Sequence, residues 1–165
     1  MITHKLKMKK MLWLEDQYTD LVDYSSRLGR INFVVDSVNS VTETLEKLKT
    51  EEYDIYVFDL KTLPGDDPGW QALDERKREG NPHFDPYLGL ELLRFLARAR
   101  RNRDPLWERI KFDFKRVIVF SVVSDKEISD ELESFGIPHQ QIIYKSGINL
   151  DTLPKLITQI QGENP

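Results

Sequence analysis

The sequence predicts an α/β domain: a parallel five-stranded sheet with helices on both faces. Five short apolar runs recur along the 165 residues, and stretches with helical spacing separate them in strict alternation. Most of the runs are continuously apolar and rich in β-branched and aromatic residues, as strands covered on both faces must be. Several runs also end in polar side chains. MLWL (11–14) stops at Glu15-Asp16, DIYVF (54–58) at Asp59, VIVF (117–120) at Ser121 and QIIY (141–144) at Lys145. Neighbouring parallel strands would bring all five positions to one sheet edge. Ligands of open α/β sheets bind there, outside the carboxyl ends of the strands.

Taken in order, the first strand is expected at 9–14 and the first helix at 17–28. A second strand at 31–36 leads to a helix at 40–51, whose Val41, Leu45 and Leu48 share a face. Asn39 or Ser40 with Glu43 supplies its N-terminal cap. The third strand, 53–59, is followed by a long insertion, 61–86, holding four of the eight prolines and three of the eight glycines. Connections of that length are functional or mobile. A short helix is expected at 69–78, and Trp70 and Phe84 would either anchor a partner or lid, or pin the insertion to the domain. The helix at 87–101 repeats Leu88, Leu92, Leu93 and Leu96. A second insertion, 102–114, carries Asp104-Pro105, Trp107 and FDF before the fourth strand at 115–122. The helix at 125–135 has a cap in Ser124 or Asp125 and a stop in Gly136. A strand at 140–144 and a helix at 150–161 complete one domain spanning 1–165.

Composition narrows the function. Apolar residues make up 39% and charged residues 32%, as in a soluble globular chain. A net charge of −4 gives no global reason for nucleic-acid or anionic-membrane binding. With no cysteine, disulfides and thiolate metal sites are excluded. No apolar stretch approaches bilayer-crossing length, and the basic lead-in MITHKLKMKK lacks a signal-peptide core, so a cytoplasmic location is expected. His4, His83 and His139 are far apart and read as surface residues. Arg94, Arg98 and Arg101 lie along one helical face, with Arg100 and Arg103 nearby; the set reads either as a nucleic-acid or acidic-partner patch or, as expected here, as cations that a helix C-terminus favours anyway.

The clustered acids carry chemistry. Mg²⁺ seeks oxygen ligands, one or two carboxylates among them. Glu15, Asp16, Asp59 and Lys145 together leave two negative charges, which one divalent cation neutralises. Lys145 and the Ser121 hydroxyl could then hold a phosphoryl group, whose transfer is catalysed mainly by positioning and charge neutralisation. A carboxylate can itself be the nucleophile. No GxxxxGK[ST] or GxGxxG phosphate loop is present.

The ordered set MLWLED, DIYVFDL, VIVFS and IIYKSG resembles the receiver domain of two-component response regulators over almost the whole chain, with 61–86 and 102–114 as additions. The resemblance implies a (βα)₅ flavodoxin-like fold and a phosphoacceptor, Asp59, charged by a histidine kinase or phosphotransfer protein. It implies Mg²⁺ held by Glu15, Asp16, Asp59 and the backbone carbonyl of Lys61, with Ser121 and Lys145 contacting the phosphoryl group. Such a chain is not an enzyme beyond self-dephosphorylation. Only Gly162–Pro165 follow the last helix, so output is expected through contact with an unidentified downstream protein, at the fourth-to-fifth helix side or the 61–86 insertion. A homodimer is left open.

Differences from the family define the alternative. Ser146 follows Lys145 where the family has a proline entered through a cis peptide, so that loop is expected to be strained or rebuilt. Pro64 stands one residue late, which would displace the Lys61 carbonyl. Ile142 occupies the place of the signalling aromatic, and Tyr144 lies two residues further on. These features point to a pseudo-receiver, a protein-binding module not regulated by phosphorylation. Haloacid-dehalogenase-like phosphatases fit less well, because their first motif needs an acid where Lys61 stands. Flavodoxin-type cofactor binding is disfavoured by the bulky, acidic Gln17–Asp20 loop.

Overall fold

The structure, a computed structural model, describes residues 7–81, 83, 86–146 and 149–163. Five strands, β1 (Lys9–Leu14), β2 (Phe33–Val38), β3 (Ile55–Phe58), β4 (Val117–Ser121) and β5 (Ile142–Tyr144), pair in parallel in the order β2-β1-β3-β4-β5. Among the described residues seven α-helices accompany them: α1 (Tyr18–Arg30), α2 (Val41–Thr50), α3 (Pro68–Arg78), α4 (Leu88–Arg101), α5 (Pro105–Arg109), α6 (Lys126–Ser134) and α7 (Thr152–Glu163).

Alternation along each strand builds two cores, one per sheet face. Met11 and Trp13 of β1 pack with Ile55, Val57, Ile118 and Phe120 against Tyr24 and Leu28 of α1 and Leu153, Ile157 and Ile160 of α7. Leu12 and Leu14 pack with Phe58 and Val119 against Leu48 of α2, Leu92, Leu93 and Leu96 of α4 and Leu132 of α6. Both faces of β1 and β3 are therefore dry, which is why their runs are apolar at every position.

Local chemistry sets the boundaries. Ser40 Oγ caps α2 by accepting from the Glu43 N–H, and Asp125 caps α6 by accepting from the Glu127 and Ile128 N–H groups. Gly136, at φ +105°, ends α6 in a backbone region that glycine occupies without strain. The second strand begins at Phe33 instead of 31, because α1 runs to Arg30 and Asn32 turns the chain with φ 65°. Before β5, residues His139–Gln141 form a 3-10 turn, so that strand has only three residues. The buried Gln141 side chain anchors the turn by donating to the Lys115 and Val117 carbonyls at 2.9 and 2.8 Å.

Both insertions fold onto the α4 side. Asp67 caps α3 through the Gly69 and Trp70 N–H groups. Trp70 then meets Phe95 of α4 edge-on at 5.8 Å, and Lys77 pairs with Glu91 at 3.0 Å. Of the two roles open to Trp70, pinning the insertion is the one its contacts serve; Phe84 lies outside the described residues. The 102–114 stretch contributes α5 and the buried Ile110, Phe112 and Phe114. Phe112 stands 4.7 Å from Tyr56 and 6.1 Å from Phe58, closing the core beneath β3.

One close approach fixes α4. Its first turn lies so near the end of β3 that a Cβ on Gly89 would fall 2.0 Å from the Asp59 carbonyl oxygen, while the Gly89 N–H donates to Leu60 O at 2.9 Å. Gly89→Ala should therefore push α4 off the sheet edge and cost about 3 kcal/mol in chemical denaturation. A variant as stable as the parent would show that this contact is not tight.

Candidate functional site

Strand register assembles the site. Leu14 pairs with both Val38 and Phe58, so Glu15 and Asp59, each one residue further on, emerge side by side. Backbone bonds continue the ladder past the strands: the Glu15 N–H donates to Val38 O at 2.9 Å and the Asp59 N–H to Leu14 O at 3.0 Å. On the other flank Ser121 pairs with Tyr144, and the Lys145 N–H donates to Ser121 O at 2.8 Å. Glu15, Asp16 and Asp59 thus each present a carboxylate oxygen within 4.8 Å of the others, a cluster that could hold a metal ion.

Every atom of Asp59 that reaches into the site has a donor. Its Oδ1 accepts from Ser121 Oγ at 2.8 Å and from the Lys61 N–H at 3.2 Å. Its Oδ2 meets the Lys145 ammonium at 3.0 Å. Lys145 also bonds Glu15 Oε2, and Glu15 Oε1 accepts from the Gln17 N–H at 3.1 Å. The same ammonium lies 5.3 Å above the Phe120 ring, whose negative face favours it. Glu15 and Asp59 are only 2% and 4% exposed, whereas Asp16 is open to solvent.

Burial decides the electrostatics. Loss of hydration pushes the Glu15 carboxyl up to about 7; the bond from Lys145 opposes this and the Asp59 charge adds to it. Asp16 is raised for the same two reasons, burial first and Asp59 second. Burial works to lower Lys145, but its bond to Glu15 and the attraction of Asp59 outweigh that and hold the ammonium charged. Three carboxylates facing one ammonium form an under-neutralised group. This donor set of carboxylate oxygens, half-open through Asp16, suits a hard divalent ion such as Mg²⁺.

The remaining predicted features fall around this centre. Lys61 is half-buried, with its ammonium 5.7 Å above the Tyr87 ring. The loop that follows is fastened to α2: the Thr62 hydroxyl donates to Asn39 O at 3.0 Å, and Leu63 O and Pro64 O accept from the Val41 and Thr42 N–H groups. No peptide bond among the described residues is cis, the Lys145–Ser146 bond included; residues 147–148 of that loop lie outside the described residues. Ile142 packs into the α4–α6 core, while Tyr144 is 45% exposed. His83 and His139 are exposed, and His139 faces Glu133 at 3.4 Å. His4 lies outside the described residues.

Sequence patterns had not singled out Gly89, Gln17 or Val123. The last two act only through backbone N–H groups, Val123 donating to Ser121 Oγ at 3.3 Å, so their residue types carry no signal. Gly89 carried one, a glycine opening a leucine-rich helix, whose cause is the close approach to Asp59.

The raised Glu15 carboxyl has a definite effect on stability. The folded state binds its proton more tightly than the unfolded state, so its contribution is favourable at low pH and is lost as pH rises from 4.5 to about 7. In chelator-treated protein the melting temperature should fall across that window, and Glu15→Gln should flatten the fall. An unchanged slope in the variant would contradict the assignment.

No protein-family model and no curated protein matches the sequence. Solved structures do. The CheY-like response regulator receiver domain from Methanospirillum hungatei superposes with a TM-score of 0.59 at 18% identity, covering 95% of this chain and 97% of the other. The Francisella response regulator 1452 receiver domain gives 0.59 at 16%, covering 95% and 99%. A Burkholderia pseudomallei response regulator with a phosphorylated aspartic acid, a calcium ion and citrate gives 0.54 at 15%, covering 95% and 75%. The five-stranded, all-parallel α/β architecture of this chain is the fold of response-regulator receiver domains.

Proposed function

We propose that the chain is a signalling receiver that accepts a phosphoryl group on Asp59 from the phosphohistidine of a histidine kinase or phosphotransfer protein. The observation that carries this reading is the setting of Asp59. One carboxylate at a strand end receives the Ser121 hydroxyl, the Lys61 N–H and the Lys145 ammonium, beside two further carboxylates. The receiver fold supports it, as does the phosphorylated aspartic acid of the Burkholderia pseudomallei neighbour.

In this reading an Asp59 carboxylate oxygen forms a bond to phosphorus as the nitrogen–phosphorus bond of the donor breaks, and the leaving imidazole takes a proton from solvent. Lys145 balances charge on the transferred oxygens, and Ser121 turns its hydroxyl from Asp59 toward them. Glu15, Asp16, Asp59 and the Lys61 carbonyl would hold Mg²⁺, which when bound supplies charge neutralisation. The chain acts as a signalling component, with self-dephosphorylation its only turnover, and its output is a protein contact. A cytoplasmic setting follows from such a donor. No helix among the described residues is long and apolar enough to cross a membrane.

Mg²⁺ should raise the melting temperature, by about 2.7 kcal/mol of added stability when its concentration is a hundredfold above Kd. Lack of any shift would count against the metal. Incubation with Mg²⁺ and a small acyl phosphate should add the mass of one phosphoryl group to the intact protein. Asp59→Asn should abolish the gain. Unchanged mass in the parent, with metal binding intact, would instead favour a binding module that phosphate does not regulate.

A further inference from the structure

A second feature of the surface is a groove of about 480 Å³ between α4 and α6, lined by Arg94, Ala97, Arg98, Arg100, Arg101, Glu131, Ser134 and Phe135. One end is closed by a two-pronged ion pair. Arg94 donates from Nε and Nη2 to Glu131 at 2.9 and 2.7 Å, and from Nη1 to Glu91 at 2.7 Å. The other arginines differ. Among the described residues no carboxylate pairs with Arg98, Arg100 or Arg101. Arg100 instead places its guanidinium over aromatic rings, 4.6 Å from the centroid of Phe114 and 5.9 Å from that of Trp107. All three are exposed, in a chain whose net charge is −4.

The pull of a helix C-terminus favours cations in the last turn of α4. It does not explain why three guanidiniums line a cavity whose lining carboxylate, Glu131, is already paired with Arg94. Ala97 and Phe135, both half-buried, give the cavity an apolar floor. We infer that the α4–α6 groove is a docking site for an acidic, amphipathic protein segment. Its carboxylates would pair with Arg98, Arg100 and Arg101, and one apolar side chain would rest on Phe135. Arginine forks match carboxylates in two-point geometry, and a groove between helices fits an apolar anchor flanked by charge. This surface is neither of the two output sites expected from the sequence, and its charge complementarity stands whether or not Asp59 is phosphorylated.

The test uses the full chain and a fluorescent synthetic helical peptide bearing acidic residues one turn apart and a single phenylalanine. Fluorescence anisotropy should show saturable binding that weakens with salt, as charge pairing at a surface requires. The double variant Arg98→Glu/Arg101→Glu should weaken it about tenfold or more. Lys49→Glu/Lys155→Glu, an equal charge change on α2 and α7, should alter it less than about twofold. Melting curves verify that each variant is folded. Absence of saturable binding overturns the proposal, as does equal loss in the two double variants. Tighter binding of a single-stranded DNA of matched charge would assign the groove to nucleic acid and overturn it as well.

Discussion

Two buried carboxylates, Glu15 and Asp59, share one half-buried ammonium, Lys145, at the carboxyl edge of the sheet. Burying ionised groups is costly unless they are paired, and here the pairing is incomplete. The sheet imposes this. Glu15 and Asp59 follow residues that are direct partners across β1 and β3, so their proximity is set by backbone ladders with dry faces above and below. The hydrogen bonds from Ser121, Lys61 and Gln17 reduce the cost but bring no charge. A fold that keeps such a centre is poised to gain stability from a cation.

The elements most tightly tied to this centre also build the surface beyond it. Helix α4 begins against the Asp59 backbone through Gly89 and ends in the arginine cluster. Helix α6 starts at the Asp125 cap, shortly after Ser121, and the Arg94–Glu131 pair joins it to α4. Strand β5 differs: it is short, its Tyr144 is exposed, and Ile142 is half-buried against the core. From Asp59, α4 leads outward by packing and reaches α6 through the Arg94–Glu131 pair, while β5 is joined to Asp59 through Lys145.

The strands and the acidic site were legible because both depend on simple patterns. Continuous apolar runs mark strands covered on both faces, and a polar residue ending each run marks the edge where they stop. Glu15, Asp16, Asp59, Ser121 and Lys145 were all identifiable on that basis, and coordinates bring them together. Boundaries were less legible where a turn competes with a run. Asn32, turning the chain at the end of α1, shifts β2, and the 3-10 turn at His139–Gln141 shortens β5; the latter is anchored by Gln141 on carbonyls distant in sequence. The short helix of the first insertion was visible at 69–78, close to the observed Pro68–Arg78, but its seat on Phe95 was not. Roles filled by backbone N–H groups leave no trace in residue type.

The central claim is that Glu15, Asp16 and Asp59 surround a single cation site beside Lys145. Anomalous diffraction from crystals equilibrated with Mn²⁺, a stand-in for Mg²⁺ with the same preference for oxygen, tests it most directly. The account predicts one strong peak in direct contact with carboxylate oxygens of these three residues. A map with no peak there, or with manganese bound only elsewhere on the surface, would contradict it.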